Sequence, residues 1–155
     1  MAKNKELKGL IEIELTNLDR LVEELKGLLS KKENKRTSYD VRAAGSILHD
    51  FYCGVEKIFE RIALSIDKNI PQGENWHTEL LLQMGKRIDG IRDKLIPDGL
   101  LVKLKEFLRF RHLFRHIYGF ELKWGRIEPL CSQLEQVSID LKKEIDERFL
   151  KANEG

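Results

Sequence analysis

The segment RFRHLFRHIY, residues 109–118, contains the residue types that can cleave a phosphodiester without a metal. Arg111 and His116 are five residues apart within it. Arginine is a permanently charged, forked donor that suits phosphate oxygens, and histidine titrates near neutral pH and can move protons. Such a pair is sufficient for RNA cleavage by attack of the 2′-hydroxyl on the adjacent phosphate, because the histidine transfers protons and the arginine stabilises the developing charge.

The same segment shows no pattern of metal ligands. His112 and His116 have i, i+4 spacing, but neither an HExxH glutamate nor a cysteine ligand accompanies them. Cys53 and Cys131 stand in apolar surroundings without CxxC spacing, which favours reduced, buried thiols over a disulfide or a metal site. The sequence therefore predicts neither a metal nor another cofactor.

The charge of the chain is unevenly distributed. The formal net charge is +2, but residues 100–126 contain seven basic and two acidic residues and so carry +5. A basic zone on an otherwise acidic chain attracts phosphate groups locally. The N-terminal stretch MAKNKELKGL lacks the apolar core of a signal peptide, and no long apolar run follows it. We therefore expect a cytoplasmic protein without a membrane segment.

The elements that must position these residues are all predicted to be helices. Apolar residues recur at helical spacing, and no segment alternates as a strand would. Thr37 or Ser38 is the expected N-cap of the second helix, because it follows the polar run that breaks the first. The chain, residues 1–155, is predicted to be a single all-α domain, an antiparallel bundle of about five helices. The predicted helices span residues 6–30, 39–67, 76–88, 98–119 and about 124–150.

A rotation of 100° per residue along the fourth helix separates two groups of side chains. The first group is a predicted buried arc that consists of Phe107, Phe110, Leu113, Phe114, Ile117 and Phe120. Arg111, His112 and Arg115 are predicted on the opposite, exposed side. His116 lies at one edge of that side, and Tyr118 lies beside Arg111 near the other edge.

The two residues of the proposed chemistry do not meet on one helix. Arg111 and His116 are about 140° apart around the axis and about 7.5 Å apart along it. One helix therefore cannot readily bring both residues onto a single phosphate. A second copy of the helix, related by a two-fold axis, would place the arginine of one chain near the histidine of the other. This spacing predicts a homodimer as the functional unit.

The segment RHLFRHIY, Arg111 to Tyr118, resembles the Arg-polar-x-x-x-His-x-Tyr motif of the HEPN superfamily and of its HepT-like proteins. Three further segments are similar to the HepT-like group. They are LHDFYCGVEKIFERIA at 48–63, IPQGENWHTELLLQM at 70–84 and RIEPL at 126–130. The resemblance thus covers most of the chain, from the second predicted helix into the fifth.

This resemblance implies a HEPN-like helical fold and a homodimer whose motif helices line a shared cleft. It also implies a metal-independent endoribonuclease that acts as a toxin, opposed by a cognate minimal nucleotidyltransferase antitoxin. In such pairs the antitoxin adenylylates the motif tyrosine, which corresponds to Tyr118. The chain differs from many relatives at His112, where they have Asn or Asp, and at Arg115, which adds charge.

Within this interpretation Arg111 and His116 are the catalytic residues, and RNA is the substrate. His112, Arg115 and Arg109 are candidates for substrate binding, with a solvated basic surface as the alternative. Tyr118 can instead be an amphipathic residue at the edge of the core.

Other histidines and other functions remain open. An arginine followed by a histidine after four to six residues also occurs at Arg42 and His49, and this match is expected to be a coincidence, unless His49 is a core histidine. Trp76 and His77 are expected to pack the start of the third helix. The alternative function is a non-catalytic dimeric helical partner that binds a nucleotidyltransferase or a nucleotide through the same basic cleft. A purely structural bundle would explain the helices but not the clustered arginines and histidines.

Overall fold

The computed structural model describes residues 2–150, and the side chains of residues 5–150. This part of the chain forms five α-helices and contains no strand, which confirms the predicted all-α bundle. The helices are α1 (Ala2–Leu29), α2 (Ser38–Ile62), α3 (Trp76–Met84), α4 (Asp98–His116) and α5 (Trp124–Ile145). Turns of π-helix, Ala63–Asp67 and Asp146–Leu150, extend α2 and α5.

Helix α2 is the centre of the bundle, because it packs against all four other helices. Its apolar residues recur every three or four positions, so they form a continuous buried face. Phe51, Tyr52, Ile58 and Phe59 are among the largest fully buried side chains of the described residues. Any side chain that α2 presents to α4 is therefore held by a well-packed core.

The start of α2 is fixed by a capping box, in which Thr37, one of the two predicted N-cap residues, is the cap. The Thr37 hydroxyl accepts a hydrogen bond from the Asp40 backbone N–H, and the Asp40 carboxylate accepts one from the Thr37 N–H at 2.8 Å. Each side chain thus accepts a hydrogen bond from the backbone N–H of the other residue. Such capping stabilises a helix end by about 1 kcal/mol.

Helix α3 ends at Met84, four residues before the predicted end at Ile88. The chain turns back there, because the backbone N–H groups of Leu95 and Ile96 both donate to the Met84 carbonyl. Arg92 holds the turn: its guanidinium donates to both Asp67 carboxylate oxygens at 2.6 and 2.9 Å. The same guanidinium donates to the Gln83 carbonyl at 3.0 Å. These contacts join distant parts of the sequence, so helical periodicity could not reveal them.

The cysteines are free, as expected for reduced thiols, although only Cys131 is fully buried and Cys53 is partly exposed. Among the described residues there is no group of three or more histidine, cysteine or acidic side chains that could hold a metal ion. Over the same residues no helix combines the length and the apolar character that a membrane crossing requires.

Candidate functional site

Arg111 lies on the buried face of α4, and the prediction that it is exposed was wrong. Only 7% of its surface is exposed. Leu104, Phe107 and Leu108 precede it by seven, four and three residues, and all three are buried, so helical geometry places Arg111 on their face. The predicted arc began at Phe107 and left out Leu100, Leu104 and Leu108. These three leucines are buried, so the centre of the buried face lies closer to Arg111 than predicted.

The Arg111 guanidinium lies within electrostatic reach of Tyr52, a buried residue of α2. Tyr52 and Glu56 are both buried, and Tyr52 lies within electrostatic reach of both Glu56 and Arg111. Burial raises the pKa of the Tyr52 hydroxyl, and the charge of Glu56 raises it further, while the charge of Arg111 opposes them. Arg111 Nε is buried and has no hydrogen-bond partner among the residues that the structure describes. An unpartnered buried donor is costly, so this nitrogen favours the binding of an acceptor such as a phosphate oxygen.

Two residues outside the motif, His77 and the buried Glu56, form a pair beside the motif residue His112. His77 Nδ1, at the start of α3, donates to Glu56 Oε2 at 2.8 Å, and both side chains are largely buried. The His77 ring meets the His112 ring edge-on, with centroids 5.9 Å apart and planes at 87°. His77 also packs on Trp76, with ring centroids 3.6 Å apart, and both residues lie at the start of α3. Glu56 was not predicted as a site residue, although a glutamate within the apolar face of a helix indicates a buried charge that needs a partner.

His112 is exposed on α4, as predicted, and its surroundings disfavour the imidazolium. Partial burial lowers the pKa of His112, and the neighbouring Arg111, His77 and His116 lower it further, against a smaller opposing effect of Glu56. A lowered pKa keeps the imidazole neutral at neutral pH, where it can accept a hydrogen bond or a proton.

Helix α4 ends at His116, three residues before the predicted end, so Tyr118 is not on the helix. Ile117 and Tyr118 are extended, and a short 3-10 turn, Gly119–Glu121, follows. The Glu121 carboxylate accepts a hydrogen bond from the Tyr118 N–H at 3.3 Å, which gives the chain an alternative to another helical turn.

The early end of α4 changes which predicted side chains are buried. Phe107 and Phe110 are buried as expected, and Leu113, Phe114 and Ile117 are half-buried. Phe120 is 64% exposed, so its predicted burial was wrong. Five of the six candidate site residues are exposed, and they are Arg109, His112, Arg115, His116 and Tyr118.

Two residues of α2 lie beside the end of α4. A Cβ at Gly119 would come within 2.9 Å of Arg42 Nε and 3.0 Å of Arg42 Cζ, so the missing side chain lets the guanidinium lie against the backbone. His49 packs on Phe114, with ring centroids 5.2 Å apart. The spacing of Arg42 and His49 was expected to be a coincidence. In the structure Arg42 lies against Gly119, just after the motif, and His49 packs on Phe114 within it.

In one chain, therefore, α4 separates its functional groups. Arg111 lies on the buried face within electrostatic reach of Tyr52, His112 lies beside the His77–Glu56 pair, and His116 is exposed at the C-terminal end. No hydrogen bond joins Arg111 to His116 in the described part of the chain, which agrees with their spacing on a continuous helix.

The comparisons with known proteins bear on the whole of this region. A family model described as HepT-like protein matches residues 43–152, which include all but the first residues of α2 and everything from α3 to α5. Searches of curated proteins and of solved structures gave no significant match. Since the matched segment covers well over half of the sequence and contains the whole motif, the chain belongs to the HepT-like family of the HEPN superfamily.

Proposed function

We propose that this protein is a metal-independent endoribonuclease that acts as the toxin of a toxin–antitoxin pair. The observation that carries the proposal is the buried Arg111 guanidinium with its unpartnered Nε, on the same helix as the titratable His112 and His116. A buried guanidinium nitrogen without a partner among the described residues is suited to a phosphate oxygen. Membership of the HepT-like family supports the same assignment.

The chemistry requires only the residues of the chain and the RNA itself. His116 takes the proton of the 2′-hydroxyl as this oxygen attacks the neighbouring phosphorus, and Arg111 stabilises the negative charge of the phosphorane. The bond from phosphorus to the 5′-oxygen breaks, and the leaving oxygen receives a proton. The products are a 2′,3′-cyclic phosphate and a 5′-hydroxyl. His112 positions the substrate, and the exposed Arg109 and Arg115 attract the RNA backbone.

The site is proposed to form between two copies of the chain. Arg111 and His116 lie on one unbroken helix about 140° apart, so their side chains diverge. A two-fold axis close to the C-terminal half of α4 would bring His116 of one protomer toward Arg111 of its partner. The homodimer is therefore part of the proposed mechanism, because a single chain leaves the two groups apart.

The direct test is an assay with labelled single-stranded RNA, stem-loop RNA and DNA of the same sequence in excess EDTA. We expect cleavage of single-stranded or loop RNA that leaves a 2′,3′-cyclic phosphate. DNA should survive, because it lacks the 2′-hydroxyl nucleophile. Loss of cleavage on addition of EDTA would contradict the mechanism. Absence of cleavage with or without divalent metals, together with intact binding to a nucleotidyltransferase, would favour the non-catalytic dimeric partner.

We further propose that a cognate minimal nucleotidyltransferase controls the toxin by adenylylating Tyr118. The hydroxyl is accessible, because Tyr118 lies beyond the end of α4 and is 70% exposed. An added phosphodiester near His116 and Arg115 would mask the positive charge that attracts RNA.

Co-expression with the cognate nucleotidyltransferase should increase the mass of the chain by one AMP, and Tyr118→Phe should abolish the increase. Tyr39→Phe is the matched control, because Tyr39 is 78% exposed and lies at the start of α2, outside the motif. Intact-mass and peptide mass spectrometry provide the measurement. Modification confined to another residue would rule out Tyr118 as the acceptor.

A further inference from the structure

Tyr118 and Phe120 form a pair of stacked rings on the surface. Their centroids are 5.3 Å apart and their planes differ by 6°, so the rings are parallel and offset. The two residues are 70% and 64% exposed, so the pair is not explained by burial in the core of the chain. Two neighbouring aromatic rings with open faces are typical of surfaces on which nucleic-acid bases stack.

Positive charge surrounds this pair. The Arg42 guanidinium lies against Gly119, the residue between the two rings, and forms no ion pair among the described residues. His116 and Arg115 immediately precede the loop and are exposed. The nearest acidic side chain in the sequence, Glu121, accepts a hydrogen bond from the Tyr118 N–H. Exposed guanidinium groups beside open aromatic faces match a ligand that carries both phosphates and planar bases.

We propose that Tyr118 and Phe120 form a stacking platform for a base of single-stranded RNA, and that Arg42 binds a neighbouring backbone phosphate. The platform rests on the proposed function for its substrate, and adds a subsite that begins two residues beyond the proposed proton-transferring His116. A base held there would fix the strand relative to the scissile phosphate. Stacking accepts any base, so the platform favours single strands over duplexes without selecting a sequence.

The charge distribution favours RNA over a protein partner as the occupant. Arg42 is exposed beside Gly119, so its charge is available to a phosphate of an RNA backbone. Gly119 supports this role, because the Cβ of any other residue there would come within 2.9 Å of Arg42 Nε and displace the guanidinium from its position against the backbone.

The experiment compares two ligands, a single-stranded oligoadenylate and an abasic strand with the same sugar–phosphate backbone and length. Binding is measured by fluorescence anisotropy in the His116→Ala background, so that cleavage cannot affect the result. Phe120→Ala should weaken binding of the oligoadenylate by roughly fivefold or more, and should leave binding of the abasic strand unchanged. Phe120→Tyr should retain the affinity, because it preserves the ring.

Two controls separate the platform from general effects. Tyr39→Ala removes another exposed aromatic residue, outside the motif, and should alter neither affinity. Arg42→Gln should weaken both ligands alike and reduce the salt dependence of binding by about one phosphate contact.

The outcomes distinguish this inference from the proposed function. Equal losses for the two ligands in Phe120→Ala, or no loss, would overturn the platform even if the wild type cleaves RNA. A base-dependent loss in a protein whose wild type never cleaves RNA would support the platform and contradict the ribonuclease. Conversion of Phe120→Ala to a monomer in sedimentation velocity would overturn the platform and assign the pair to an interface between chains.

Discussion

His116→Ala should slow RNA cleavage by roughly two orders of magnitude or more and leave RNA binding largely intact. His116 is exposed at the end of α4, so its removal should not disturb the core. The imidazole is assigned only to proton transfer, and general acid–base catalysis acts on the transition state. Single-turnover rates at saturating protein, with binding measured separately, would show the loss in the rate constant alone.

Arg111→Ala should have a different signature, because Arg111 is assigned both to phosphate binding and to charge stabilisation. We expect weaker binding as well as a loss of roughly a hundredfold or more in rate. Arg111 is buried, so its truncation also leaves space beside the core. Arg111→Lys is therefore the matched variant, because it retains the charge and most of the stem but loses the fork. A thermal unfolding midpoint close to that of the wild type would confirm that this variant is folded.

Arg109→Ala is the control for electrostatic attraction without chemistry. Arg109 is exposed on α4 and precedes the motif, so its loss should weaken binding modestly and in a salt-dependent manner. Undiminished cleavage by His116→Ala would contradict the assigned proton transfer. Equal losses of binding and of cleavage rate in the Arg109 and Arg111 variants would show that Arg111 is only one of several charges that attract the RNA.

Local sequence signals predicted the helices and the start of α2. Thr37 caps α2 because the cap and its partner Asp40 are three residues apart, a distance over which sequence patterns are informative. The ends of α3 and α4 were predicted too late. The end of α3 depends on Arg92, which donates to the Gln83 carbonyl from nine residues away in the sequence. The end of α4 depends on Glu121, whose carboxylate accepts a hydrogen bond from the Tyr118 N–H.

The site was predicted in its residue types but not in its arrangement. Arg111 was predicted on the exposed side because it lies opposite the apolar arc that begins at Phe107, although Leu104 and Leu108 mark its position as buried. The pairing of Glu56 with His77 joins residues that are 21 positions apart on different helices, so only the packing of α2 against α3 reveals it. The buried guanidinium strengthens the case for a phosphate site, because a solvated arginine would need no ligand.

A heterodimer of one Arg111→Ala chain and one His116→Ala chain should recover about half of the wild-type activity, although either variant homodimer is nearly inactive. If each site takes its arginine from one chain and its histidine from the other, the heterodimer contains one intact site and one site that lacks both groups. If each site belongs to a single chain, no site in the heterodimer is intact. Co-expression with two affinity tags and sequential purification would isolate the heterodimer.

The control heterodimer combines an Arg111→Ala chain with a chain that carries both substitutions, since this pairing leaves no intact site under either arrangement. Its activity should stay at the level of the Arg111→Ala homodimer. Recovery in the test heterodimer alone would show that the two residues act across the interface. Lack of recovery in a verified heterodimer would contradict the shared cleft, because the helix keeps Arg111 and His116 about 140° apart and only a second chain can complete the proposed site.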